Sequence, residues 1–148
     1  METTLILLKP DTVQRGLIGQ IISRFENKGL KIIGMKMMNL SEEIINEHYD
    51  FLADKPFFPK IKSYMTSAPV VAMAVSGTNV IKTVRILTGA TNPAEALPGS
   101  IRGDFALTID GNVIHASDSE ETAQIELKRF FKEGEITNYT KISDETVG

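Results

Sequence analysis

Hydrophobic and polar positions alternate along this chain in blocks that read as strands and helices in turn. Thr3 to Leu8 is an unbroken apolar run rich in β-formers, closed by Lys9-Pro10-Asp11, which predicts a central strand with Lys9 at its end. Ile18, Ile21, Ile22 and Phe25 repeat at helical spacing, and Asn27-Lys28-Gly29 supplies the stop signal. Leu30 to Asn39 alternates imperfectly and reads as a second strand, with its methionines as core filler. Ser41 is placed to cap a helix whose face carries Ile45, His48, Tyr49 and Leu52. Lys55-Pro56-Phe57-Phe58-Pro59 then breaks that helix and opens a shorter one bearing Ile61, Tyr64 and Met65, so the two form a helical hairpin. Val70 to Val75 is a third strand, and Val80, Val84 and Leu87 mark a helix with Arg85 off its apolar stripe. From Thr88 to Gly103 periodicity gives way to turn chemistry, and a loop of that length in a compact domain is usually functional or disordered. Phe105 to Ile109 is the expected fourth strand, turned by Asp110-Gly111. A short apolar run ending at His115 follows, and then a last helix with a stripe of Ala123, Leu127, Phe130 and Phe131. From about Lys132 the chain is a polar, weakly patterned tail.

The predicted order is β, α, β, helical hairpin, β, α, long loop, β, α. Four strands interleaved with helices point to an α+β fold: a ferredoxin-like sandwich, its antiparallel sheet covered on one face by helices, with an inserted hairpin and a long loop before the last strand. A small doubly wound sheet is the alternative, but no Gly-rich turn follows the first strand.

The chain's 148 residues suit one domain spanning 1–148, and 42% apolar with 24% charged residues are globular values. A net charge of −3 gives no general attraction to nucleic acid or to an anionic membrane, so phosphate binding requires a local cluster of cations. Cysteine is absent, which removes disulfides, thiolate metal sites and cysteine nucleophiles, and Leu5 to Leu8 is too short to span a bilayer. A cytoplasmic enzyme or binding module is the expectation.

His115 stands at the end of an apolar run, just before a helix start. An unperturbed imidazole is mostly neutral at pH 7 and can accept a group without a separate base. Ser117 or Asp118 is placed to cap the following helix, whose first amides favour anions. Glu126 lies at the border of that helix's apolar stripe, where it either takes a proton from one imidazole nitrogen or edges a solvated face; spacing leaves both open. His48, by contrast, has no acid placed near it in sequence and reads as a structural or surface histidine. Lys9, Arg85 and Arg102 sit in turn or terminus settings that suit a polyphosphate, if the fold gathers them. Neither a Walker A sequence nor a kinase Gly-rich loop is present.

The segment Asn112-Val113-Ile114-His115-Ala116-Ser117-Asp118-Ser119 resembles the signature of nucleoside diphosphate kinases. Lys9-Pro10-Asp11, Val13-Gln14-Arg15-Gly16, Pro56-Phe57-Phe58, Met65, Pro69 to Met73, Thr91-Asn92-Pro93 and Ile101 to Phe105 resemble that family's blocks, in its order, from about Thr3 to Phe131. The resemblance implies ping-pong transfer of the γ-phosphate of a nucleoside triphosphate to a nucleoside diphosphate through a phosphohistidine on His115. It implies that Lys9 contacts the transferred phosphate and the ribose 3′-hydroxyl, that Asn112 holds the sugar and that Tyr49 acts beside the histidine. Arg85, Thr91 and Arg102 would bind phosphates, Phe57 would stack on the base with Ile109 beneath it, Glu126 would orient His115 and Ser117 would bond to Glu126. Mg²⁺ would arrive with the nucleotide, and the family's oligomers are hexamers or tetramers, the intact long loop favouring a hexamer. Ala116 replaces the commoner Gly of the signature, Ala68 replaces a usual Gly, and Ala94-Glu95-Ala96 alters the loop. A non-catalytic nucleotide- or nucleic-acid-binding module on the same fold is the competing expectation.

Overall fold

A computed structural model describes residues 2–142. Its sheet has four antiparallel strands, β1 (Glu2–Leu8), β2 (Lys31–Met38), β3 (Val70–Gly77) and β4 (Ile114–Ala116), in the order β2-β3-β1-β4. The helices are α1 (Pro10–Gln14), α2 (Ile18–Asn27), α3 (Glu42–His48), α4 (Phe58–Met65), α5 (Val80–Thr88), α6 (Ile101–Phe105) and α7 (Glu120–Phe130). The two central strands, β1 and β3, set everything else. Leu5, Ile6, Leu7 and Leu8 are each 0% exposed, so consecutive side chains on opposite faces are all covered. Ile6 and Leu8 pack with Ile21 and Phe25 of α2 and Val80 and Val84 of α5. Leu5 and Leu7 pack with Ile45 of α3, Phe58 and Met65 of α4, and Leu127 and Phe130 of α7.

Helices therefore cover both faces of the sheet, where one covered face was expected. A run apolar at every position needs two cores, and β1 and β3 are such runs. The second correction concerns β4, which is Ile114–Ala116 and not Phe105 to Ile109. Ser100 caps a helix in place of that strand, its Oγ accepting from Gly103 N at 3.1 Å, so Phe105 closes α6. Leu107 and Ile109 are then 87% and 57% exposed and bury nothing in the sheet. A three-residue strand is too short to announce itself by periodicity; pairing with β1 alone defines it.

The long loop is ordered by its own polar groups. Asn92 Oδ1 accepts from Ala94 N at 3.1 Å to cap the 3₁₀ turn Pro93–Glu95, and a Cβ on Gly103 would meet the Leu97 carbonyl oxygen at 2.0 Å. Only glycine lets the loop close there. The tail, too, is held: Thr137 N donates to Ile33 O at 2.7 Å and Tyr139 Oη to Ile32 O at 2.6 Å, along the edge strand β2. The remainder of the predicted tail, 143–148, lies outside the described residues. Among the described residues no helix is long and apolar enough to cross a membrane.

Candidate active site

β4 pairs with β1 so that His115 stands opposite Leu7, while Ile114 faces Leu8 and Ala116 faces Ile6. Opposed residues share a face, so His115 points to the side covered by α3, α4 and α7. The approach to β4 is a tight turn in which Ile114 N donates to Asn112 O at 2.7 Å across Val113. Val113 has φ +60°, a backbone setting that costs a β-branched residue roughly 1–3 kcal/mol. Its carbonyl is held by Lys9 N at 2.8 Å and Thr12 Oγ1 at 2.7 Å, and its side chain is fully buried, so the surroundings maintain the strain.

Two arginines grip the backbone on either side of His115. Arg102 donates from Nη2 to Ile114 O at 2.6 Å, from Nε to Asn112 O at 3.3 Å and from Nη1 to Gly89 O at 2.9 Å. Arg85 Nη1 donates to Ala116 O at 3.3 Å. Burial, reinforced by Arg85, pulls the Arg102 guanidinium down to about 10, which still leaves it charged at neutral pH. Lys9 Nζ donates to Asn112 Oδ1 at 2.7 Å, and Asn112 Nδ2 donates to Thr91 O at 3.2 Å. Lys9 is lowered to about 8 by burial first and Arg102 second, with Asp11 opposing. Lys9, Arg85, Thr91, Arg102 and Asn112, scattered in sequence, are thus gathered around the histidine strand.

The histidine itself is tied from α7. His115 Nε2 lies 3.0 Å from both Glu126 oxygens, and Ser117 Oγ donates to Glu126 Oε1 at 2.6 Å. Burial pushes the Glu126 carboxyl up, but the hydrogen bond and charge of His115 and the Ser117 hydrogen bond outweigh it and hold the acid below the usual carboxylate range. The Glu126 carboxylate is then an acceptor for a proton on Nε2, which leaves Nδ1 as the ring nitrogen with a free lone pair. Ser117 is available for this because Ser119 caps α7 instead, its Oγ accepting from Thr122 N at 3.1 Å. That corrects the expectation of a cap at Ser117 or Asp118: the chain needs two more residues to turn from the strand into the helix.

His48, expected to be a structural or surface histidine, is a buried neighbour of His115. It is 7% exposed, its ring stands edge-on to His115 with centroids 4.8 Å apart, and Nδ1 accepts from Arg129 Nη1 at 2.9 Å. Glu126 Oε2 is 3.7 Å from that nitrogen, too far for a hydrogen bond. Burial, with the charges of His115, Arg129 and Lys9 adding to it against Glu126, lowers the imidazole to about 3. His48 is therefore neutral when folded and titrates near the ordinary histidine value when unfolded. The unfolded chain binds the extra proton between about pH 6.5 and 3, so stability is complete above that window and is lost as pH falls through it. Urea unfolding should show a loss approaching ~1.4 kcal/mol per pH unit below about 6.5, and His48→Gln should flatten that slope. The signal missed was the helical spacing that brings Arg129 of α7 and the His48 face of α3 together, which only packing reveals.

Beside this cluster lies a cavity of about 520 Å³ lined by Lys9, Tyr49, Leu52, Phe57, Lys60, Ile61, Tyr64, Ile109 and Asp110. Phe57 and Ile109 are 48% and 57% exposed, apolar groups left open in its wall. Burial, helped by Glu126, raises the Tyr49 phenol to about 12, so it keeps its proton and can donate. Tyr64 donates to Asp11 Oδ1, and burial together with that bond raises its phenol still further.

The sequence profile described as nucleoside diphosphate kinase matches residues 2–136. The nucleoside diphosphate kinase of Parabacteroides distasonis is 55% identical over 139 residues, covering 94% of this chain and 91% of that protein. That of Archaeoglobus fulgidus is 52% identical over 147 residues, covering 99% and 97%. Among solved structures, the halophilic nucleoside diphosphate kinase of Halobacterium salinarum in complex with CDP superposes with a TM-score of 0.95 at 43% identity, covering 99% of this chain and 98% of that one. A nucleoside diphosphate kinase family protein from Babesia bovis gives 0.95 at 39% identity over the full length of both chains. Likeness of this degree in sequence and in fold, over nearly every residue, makes this chain a member of the nucleoside diphosphate kinase family and a nucleotide phosphotransferase.

Proposed function

We propose that the chain moves the γ-phosphate of a nucleoside triphosphate to a nucleoside diphosphate in two half-reactions through His115. The observation that carries this reading is the Nε2 contact with both oxygens of Glu126, which leaves the Nδ1 lone pair to serve as the nucleophile. In the first half-reaction the Nδ1 lone pair forms a bond to the γ-phosphorus, the bond from phosphorus to the bridging β–γ oxygen breaks, and the diphosphate leaves with that electron pair. Nε2 keeps its proton, shared with Glu126, so the imidazolium character that develops is neutralised locally. In the second, a terminal oxygen of another diphosphate attacks the same phosphorus and the N–P bond breaks. Such transition states are loose and spread charge over the phosphoryl oxygens, so fixed cations do most of the work. Lys9, Arg85 and the unused donors of Arg102 supply that charge, with Thr91 and Asn112 holding phosphate and sugar, and Tyr49 donating beside the histidine. Phe57 and Ile109 clamp the base, a contact made by stacking and therefore tolerant of base identity.

Mg²⁺ would enter as part of the nucleotide complex and supply charge neutralisation at the phosphates. Among the described residues that line the cavity there is no cluster of carboxylates to form a cage, so phosphate oxygens and water would make up the ion's shell. The CDP held by the Halobacterium relative supports a nucleoside diphosphate as ligand. We further propose a cytoplasmic hexamer, supported by exposed Leu97 (76%) and Leu107 (87%) on and beside the long loop, apolar groups that a neighbouring chain would cover. Sedimentation equilibrium separates a mass of six chains from one of four, and the latter would end the hexamer.

Incubation with γ-labelled ATP and Mg²⁺, without acceptor, should leave a label on the protein that is stable in base, labile in acid and discharged by any nucleoside diphosphate. Transfer without a chaseable label would sink the two-step route; binding without label or transfer would leave a non-catalytic nucleotide module.

A further inference from the structure

Two residues in the cavity wall take no part in the chemistry described so far. Lys60 of α4 and Asp110 of the 3₁₀ turn Ile109–Gly111 face each other, Nζ to Oδ2 at 3.3 Å, with side chains 73% and 70% exposed. They do not lie at random on the rim. Lys60 stands three residues after Phe57, close to one helical turn away, and Asp110 directly follows Ile109, so each jaw of the apolar clamp carries one charge. As a structural staple the pair contributes little, because exposed ion pairs gain almost nothing over hydration. As part of a binding wall it matters more. Lys9 and Tyr49 mark the end of the cavity next to His115, and Lys60 and Asp110 mark the solvent end. A base clamped between Phe57 and Ile109, with its phosphates toward Lys9, turns its far edge to the mouth.

Resting on the nucleotide reading of this cavity, we propose that Lys60 and Asp110 read that edge and bias the enzyme toward guanine nucleotides. Guanine presents an acceptor, O6, beside two adjacent donors, N1–H and N2–H₂. A carboxylate can take both donors at once while an ammonium takes O6, so the pair's mutual attraction is exchanged for three charge-assisted hydrogen bonds. Adenine offers a single donor, N6–H₂, beside an unprotonated N1, and cannot bond a carboxylate in the two-pronged way. Pyrimidines are one ring shorter and leave the gap to water. Stacking keeps the site open to every base, and the ion pair lays a preference over that tolerance.

The test is acceptor discrimination. With one phosphate donor throughout, kcat/KM is measured for GDP and for ADP in the natural protein, in Lys60→Met, in Asp110→Asn and in the double variant. Both side chains are exposed, so folding is not at stake. The natural protein should favour GDP by about three- to tenfold, modest because water competes at the mouth. The ratio should fall toward one in the double variant, with the loss on the GDP side. Equal use of the two acceptors by the natural protein, a preference for ADP, or a ratio that survives the double substitution would each overturn the proposal. Phe57→Ala separates the two levels. If it weakens both acceptors alike while the double variant changes nothing, the cavity holds the base and the edge-reading alone is wrong. If Phe57→Ala affects neither, the nucleotide does not lie in this cavity at all.

Discussion

His115→Ala is expected to abolish phosphoryl transfer, a fall of the order of 10⁴-fold or more, and with it the base-stable label. The size of the effect follows from what is lost. The other of the chain's two histidines cannot stand in for it: His48 is neutral but buried, and its Nδ1 is taken by Arg129. Glu126 would keep the Ser117 bond but lose the imidazole whose hydrogen bond and charge do most to hold its carboxyl down against burial. Diphosphate binding should survive within about threefold, because the lining of the cavity does not include His115. Transfer at a tenth of the natural rate in the alanine protein would dispose of the histidine carrier.

Arg102→Met should be the most damaging change to the fold of the site. The guanidinium is 4% exposed and bonds three carbonyls, those of Gly89, Asn112 and Ile114, tying the long loop to the strained turn and to β4. Methionine fills much of the volume but takes the guanidinium donors from the Gly89 and Ile114 carbonyls, leaving Asn112 O only its bond from Ile114 N, a loss of about 2–4 kcal/mol in urea unfolding. Activity should fall further than stability alone explains, by about 10²-fold at a temperature where the variant is fully folded, since His115 is displaced along with Ile114. Arg102→Lys should restore only part of either, because one ammonium cannot span three carbonyls in the plane of a fork. A variant that keeps both stability and rate would show that the carbonyls are served from elsewhere.

What could be read before folding, and what could not, divides along the range of the interactions. Strands β1 and β3, helix α2 and the Ser41 cap of α3 follow from patterns within a few residues, and each is where the spacing put it. Phe105 to Ile109 has the alternation of a strand, yet a serine cap and a glycine turn it into a helix end, and Ile109 is delivered to the cavity. The last helix's cap went to Ser119, because geometry at the end of β4 rather than the list of eligible residues chose it.

The sequence by itself determined the α+β order, the family to which the blocks around Lys9 and His115 belong, and the residue types that phosphate chemistry needs. These are local properties, set by side-chain period, turn residues and contiguous motifs. Tertiary structure alone decided that helices cover both faces of the sheet, that Val113 is held in a strained turn, that Arg102 grips the backbone beside His115, and that His48 is a buried neighbour of the nucleophile. It alone brought Lys60 opposite Asp110 at the mouth of the cavity. Each of these depends on groups far apart in the chain meeting in one dry or narrow place, where burial and distance, and not residue identity, fix their charge and their use.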